Sequence, residues 1–207
     1  MSLRHGSASP GSRALPALVA LALVVSGCGA IKRYAYSGIG RDSQQQPERV
    51  VAALALAPGA QVADLGAGGG YFTFRLADAV GPTGRVYAVD IDPDMLEYLA
   101  DRVRDEGRAN VEVVEAAPDD SRLPAASVDL VFLCNTYHHL SERVTYFEAL
   151  RARLRPGGRV AIVEYRTGNH GTSPDLIRGE LTRAGYAEVK EETFLSEQSF
   201  LIFTPSP

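Results

Sequence analysis

From Pro47 onward, short apolar runs alternate with stretches whose apolar residues recur every three or four positions. The runs Val62–Leu65, Val86–Val89, Val111–Val114, Val128–Leu133 and Val160–Val163 read as strands. The helical stretches begin and end on recognisable signals. Pro47 suits the first turn of a helix reaching about Leu56, and Pro58-Gly59 ends it. Tyr71–Val80 is the first crossover helix, followed by the turn Gly81-Pro82-Thr83-Gly84. Asp92 caps the next helix, with Pro93 at its first position and Leu96, Leu99 and Val103 on its inner face. Ser141 caps a helix through Leu154, which Arg155-Pro156-Gly157-Gly158 terminates. Asp175–Ala184 is a further helix, stopped by Gly185. Ala187–Glu192 and Ser199–Phe203 form a final antiparallel pair of strands. Strands alternating with helices in this way predict an α/β protein with a largely parallel sheet.

Composition narrows the functional classes. The chain has 207 residues, 45% hydrophobic and 22% charged, which suits one globular domain with an appendage. Its net charge is −4, and no basic stripe is visible, so nucleic acid is not an expected partner. Two cysteines are too few for a disulfide framework or a cysteine-based metal site, and no metal site is expected.

The first residues differ from the rest. Arg4 and Arg13 precede the apolar run Leu15–Val25, and Ser26-Gly27-Cys28 follows it. A basic start, a short apolar stretch and small residues before a cut point read as an export signal. Leu23–Cys28 also resembles a bacterial lipobox, in which the cysteine becomes the lipidated first residue. The expected organisation is a signal over 1–27, a tether or lid over 28–46 that carries Tyr34 and Tyr36, and a catalytic domain over 47–207. Loss of residues 1–27 removes two arginines and takes the charge from −4 to −6. Attachment to a membrane would then fall to the lipid on Cys28 rather than to charge. The expected location is the bacterial cell envelope, or the cytoplasm if the signal is not used. No obligate protein partner is evident.

The sharpest local signal is Asp64-Leu65-Gly66-Ala67-Gly68-Gly69-Gly70-Tyr71, placed where a strand ends and a helix begins. Glycine permits a tight turn and close approach of a ligand to the backbone. A nicotinamide or flavin site calls for G-x-G-x-x-G over a pyrophosphate, but here the spacing is G-x-G-x-G and Tyr71 holds the later position. Asp64 is a poor neighbour for pyrophosphate and a good one for an amine. Asp90 ends the second strand, where a carboxylate accepts hydrogen bonds from both ribose hydroxyls. A ligand with a ribose, a positive amine and no required phosphate is implied, and S-adenosyl-L-methionine fits.

These motifs, with Val89-Asp90-Ile91-Asp92 and Leu154-Arg155-Pro156-Gly157-Gly158-Arg159, give the chain a resemblance to class I S-adenosylmethionine-dependent methyltransferases of the type 11 kind, over about Pro47–Phe203. The resemblance implies a single doubly wound Rossmann-like domain, with a mostly parallel seven-stranded sheet and an antiparallel last strand. It implies that Asp64 lies near the methionine moiety, that Gly66, Gly68, Gly70 and Tyr71 line the cofactor, and that Asp90 holds the ribose with Ile91 against adenine. An acid after the third strand that meets the adenine amino group would be Asp119 or Asp120, although Ala117-Pro118-Asp119-Asp120 departs from the family's usual Gly-Asp-Ala.

The substrate side is expected beyond the fourth strand, at Cys134-Asn135-Thr136-Tyr137-His138-His139. Asn135 is positioned for the methionine part or the acceptor. His138 and His139 are the candidates to take a proton from a hydroxyl or protonated amine. Packing over the cofactor or starting the next helix is the alternative for both. Cys134 reads as a buried core thiol, because no acid–base partner is visible beside it. The expected reaction is methyl transfer to a small-molecule nucleophile. The alternative is a non-catalytic ligand-binding lipoprotein that keeps the fold, since the cofactor is made in the cytoplasm and the leader implies export.

Overall fold

The computed structural model of the protein describes residues 40–168 and 170–207. The leader, Cys28, Tyr34 and Tyr36 lie outside the described residues. A four-residue helix α1 (Asp42–Gln45) leads directly into α2 (Pro47–Ala53). Then come β1 (Gln61–Leu65), α3 (Thr73–Val80), β2 (Arg85–Asp90), α4 (Pro93–Asp105), β3 (Val111–Glu115) and β4 (Val128–Cys134). The chain closes with α5 (Arg143–Leu150), β5 (Leu154–Tyr165), α6 (Pro174–Arg183), β6 (Tyr186–Glu192) and β7 (Gln198–Pro205). No helix of the described residues is long and apolar enough to cross a membrane.

The seven strands form one sheet in the order β3-β2-β1-β4-β5-β7-β6. β1 to β5 pair in parallel, and β7 runs antiparallel to both β5 and β6. Alternating side chains of each central strand enter two different cores. Leu65, Val131, Leu133, Ile162 and Leu201 pack on one face with α5 and α6. Val62, Leu130, Phe132, Ala161 and Phe200 pack on the other with α2 and α3. Chain connections leave β1 toward β2 on one side and β4 toward β5 on the other. The sheet order therefore reverses at the β1–β4 pair, and a crevice opens beyond the carboxyl ends of those two strands.

The strands follow the expected pattern, and the helix ends show where local signals compete. Asp92 caps α4 through Oδ1, which accepts from the backbone N–H of Asp94 at 3.0 Å and of Met95 at 3.4 Å. Met95 and Leu99 are the buried residues of that helix, whereas Leu96 is only half-buried. α2 ends at Ala53, short of Leu56. Ser141 does not cap α5: Glu142 occupies the position before the helix, in a left-handed conformation (φ 44°) and without a side-chain cap. α5 stops at Leu150 and continues as the single 3₁₀ turn Arg151–Arg153. β5 starts earlier than expected. Val128 pairs with Leu154 and Leu130 with Arg159, so Arg155–Gly158 bulges out between two paired positions. A bulge accommodates Pro156, which has no N–H to give to a ladder.

Candidate functional site

A cavity of about 430 Å³ occupies the crevice at the ends of β1, β2 and β4. The glycine-rich turn forms one wall, and its three expected glycines do three different things. Gly66 lines the cavity and has φ +79°; a Cβ there would come within 2.2 Å of Thr136 Oγ1, so only glycine lets the loops after β1 and β4 approach. Gly68 donates its N–H to Asp90 Oδ2 at 2.8 Å. Gly70 turns away from the cavity and packs the turn onto Phe74 and Leu99. Arg102 of α4 braces the turn from outside, donating to the carbonyl of Gly69 at 2.6 Å.

Among the described residues, Asp90 is held by backbone N–H groups alone. Besides the bond from Gly68, its Oδ1 accepts from the N–H of Ile91 at 2.8 Å and of Asp92 at 3.0 Å. The carboxylate is thus aimed before any ligand arrives, and its remaining lone pairs border the cavity. Ile91 stands beside it, 58% exposed, an apolar side chain left on the cavity wall. Met95, Ala116, Ala117 and Pro118 complete an apolar slot there. Asp119 and Asp120 do not join it. Both are exposed and stand outside the cavity wall. The Asp120 carboxylate instead accepts from the N–H of Arg122 at 2.9 Å and pairs with Arg153 at 3.4 Å. Both acids sit in the tight turn closed by backbone bonds between Ala117 and Asp120.

At the other end, Asp64 is 3% exposed and accepts from Thr73 Oγ1 at 2.6 Å. Burial pushes its carboxyl up to about 7, opposed by the Thr73 hydrogen bond and reinforced by the nearby Asp90. Tyr71 lines the same end and donates its hydroxyl to Asp42 Oδ1 at 2.6 Å. Cys134 packs against one core as expected, and it also borders the cavity and donates to Gln45 Oε1 at 3.1 Å. Burial, with Asp64 and Glu164 close by, raises its thiol well above the usual range, so it stays protonated and is a poor nucleophile.

The loop after β4 separates the two histidines. Asn135 lines the cavity in a left-handed conformation (φ 53°), with Oδ1 accepting from Gln198 Nε2 at 2.7 Å. His139 also lines the cavity. Desolvation, then the neighbouring His138 and His170, lowers its pKa below the ordinary histidine value, which keeps it neutral at pH 7. His138 stands behind the wall. Its Nδ1 lies 3.1 Å from both oxygens of Glu164, a carboxylate with no exposed surface. Burial raises the Glu164 carboxyl, and its contacts with His138 hold it down. The two imidazole rings sit 4.0 Å apart, and His170 lies 5.9 Å from His138. No group of three or more metal-ligating side chains forms among the described residues.

Arg41, Gln45 and Tyr146 belong to this region and carried no signal in the sequence; Thr136, within the expected acceptor stretch but given no role, and Glu164 belong to it too. Arg41 and Gln45 precede the first recognisable element. Glu164 is one acid at the end of an otherwise apolar strand, the one feature that marked it.

Residues 62–158 match the family described as methyltransferase domain. The ubiquinone/menaquinone biosynthesis C-methyltransferase UbiE of Ectopseudomonas mendocina is 33% identical over 109 residues, 52% of this chain and 43% of that protein. An arsenite methyltransferase of Halobacterium salinarum is 38% identical over 110 residues, 52% of this chain and 28% of that protein. The chain therefore spans less than half the length of these curated relatives. A crystal structure of an S-adenosylmethionine-dependent methyltransferase from Aquifex aeolicus superposes with a TM-score of 0.76 at 27% identity, covering 83% of this chain and 96% of that one.

Proposed function

We propose that this methyltransferase domain, whose cofactor is S-adenosylmethionine, transfers the methyl group to a small protic nucleophile, with His139 receiving the acceptor's proton. The observation that carries the reading is the preset Asp90. Three backbone N–H groups fix its carboxylate beside an exposed Ile91 on an apolar slot, a cradle that suits a ribose with its base and makes no provision for a phosphate. Bound there, S-adenosylmethionine supplies an electrophilic methyl group on a sulfonium. The chain's own work is to bind, orient and move a proton. Asp90 orients the ribose, Ile91 and Met95 cover the adenine, and Asp64 faces the amino end. Thr136 and Asn135 narrow the crevice between the turn and the acceptor side. His139, neutral at pH 7, accepts the proton that the nucleophile loses. His138 is fixed by Glu164 and supports His139 through the ring contact.

The relatives act on different acceptors, a quinone precursor carbon by one name and arsenite by the other. Arsenite chemistry calls for several thiols on a soft centre, whereas Cys134 is the only cysteine among the described residues and stays protonated. A small oxygen, nitrogen or carbon nucleophile is therefore the acceptor class. Methyl transfer from labelled cofactor to a panel of such acceptors tests the reading. His139→Gln should lower kcat by about a hundredfold, the usual contribution of a general base, with cofactor affinity unchanged. Equal transfer by the variant would remove His139 from this role.

A further inference from the structure

The described residues hold two buried side-chain nitrogens without a hydrogen-bond partner, Arg41 Nε and Gln45 Nε2. Both residues line the cavity. Gln45 is 1% exposed, and a buried amide donor left unpaired is costly in a finished site. The two are four residues apart on one helical turn, where Gln45 N–H bonds the carbonyl of Arg41 at 2.9 Å, so their side chains share a face. The turn is held in place from several directions. Tyr71 reaches Asp42, Gln46 Nε2 donates to the carbonyl of Phe194 at 3.2 Å, and Pro47, Val50 and Leu54 are buried beneath. Across from it stand Cys134, bonded to Gln45, and Asp64, whose charge acts on that same thiol as does that of Arg41. One end of the cavity thus brings together a guanidinium, a free amide N–H and a buried carboxylate.

We propose that Arg41 and Gln45 form a carboxylate-binding site which, with Asp64 opposite, clamps the zwitterionic α-amino acid end of the cofactor. A guanidinium and an amide N–H are donors that suit a carboxylate, and Asp64 suits an ammonium. The assignment rests on the S-adenosyl reading of the cavity and adds a role for α1 that the glycine-rich turn does not supply. The tail is what gives the two unpaired nitrogens their partners.

The test compares two ligands by calorimetry on the full chain. S-adenosylhomocysteine carries the amino acid, and 5′-methylthioadenosine keeps the adenosine and sulfur without it. Gln45→Met removes the amide donor at similar volume without burying a charge; Arg41→Met keeps most of the side-chain bulk. Each should weaken S-adenosylhomocysteine by about tenfold or more, the scale of a hydrogen bond to a charged group. Each should leave 5′-methylthioadenosine within about twofold and the melting temperature near the parent's. Equal loss for both ligands, or no loss for either, overturns the clamp. Failure of the parent protein to bind either ligand removes the S-adenosyl reading itself, and the clamp with it.

Discussion

Asp64 illustrates how one residue's environment sets its chemistry. It is 3% exposed, held by Thr73 and placed near a second carboxylate, so its carboxyl titrates at about 7 rather than 3.8. A folded pKa above the unfolded one means that the folded chain holds a proton the unfolded chain has lost. The stability from this group is fully present below about pH 3.8, declines as pH rises, and is gone above about 7. The shift corresponds to about 4 kcal/mol. A cation beside Asp64 reverses the preference and drives the proton off. Binding of S-adenosylhomocysteine should therefore release protons near pH 7, seen as a buffer-dependent calorimetric enthalpy, and affinity should rise from pH 6 to pH 8. Asp64→Asn should abolish both effects; a parent protein with no buffer dependence would show that no cation meets Asp64. Asp64 and Asp90 were legible as candidates because each stands at the carboxyl end of a recognisable strand, Asp64 just before the glycine-rich turn. Asp119 and Asp120 stand off the cavity wall in a four-residue turn, and Arg153, over thirty residues away, takes up Asp120. Arg41 and Gln45 precede any periodic segment, and only the folded chain brings them over Asp64 and Cys134.

Among the elements, the strand–turn–helix from β1 to α3 divides its work between structure and binding. Gly70 has φ +85°, and an added Cβ would lie 2.6 Å from Phe74 and 2.7 Å from Leu99. Left-handed backbone and overpacking each cost about 1–3 kcal/mol. Gly70→Ala should therefore lower the melting temperature by several degrees while leaving S-adenosylhomocysteine affinity nearly intact, because this glycine is off the cavity wall. A large loss of affinity at unchanged stability would place Gly70 in the binding surface instead. The glycine spacing alone could not separate these roles, since the same residue type serves a close approach at Gly66 and a packing contact at Gly70. Helix limits were harder to read than strands. Ser141 offers a side-chain cap, but the left-handed Glu142 starts α5. β5 reaches back to Leu154 by bulging around Pro156, where the sequence suggests only a helix stop.

At the scale of the molecule, the apolar alternation of the strands sets two cores on one sheet, and the reversal of strand order sets where a ligand enters. The hydrophobic period made the strands legible in the chain itself, whereas the doubly wound order was implied only by the family resemblance. The partner of the loop after β4 was not legible: His138 meets Glu164 of β5 only in three dimensions. Asp90 and Asp64 border one cavity, and the proposed occupant is an adenosyl cofactor lying between them. Calorimetric titration of the purified chain with S-adenosylhomocysteine tests this directly. One site of micromolar affinity is expected, weakened by about tenfold or more in Asp90→Ala as charge-assisted bonds to the ribose are lost. Absence of binding by the well-folded parent protein, or equal affinity in Asp90→Ala, would contradict it.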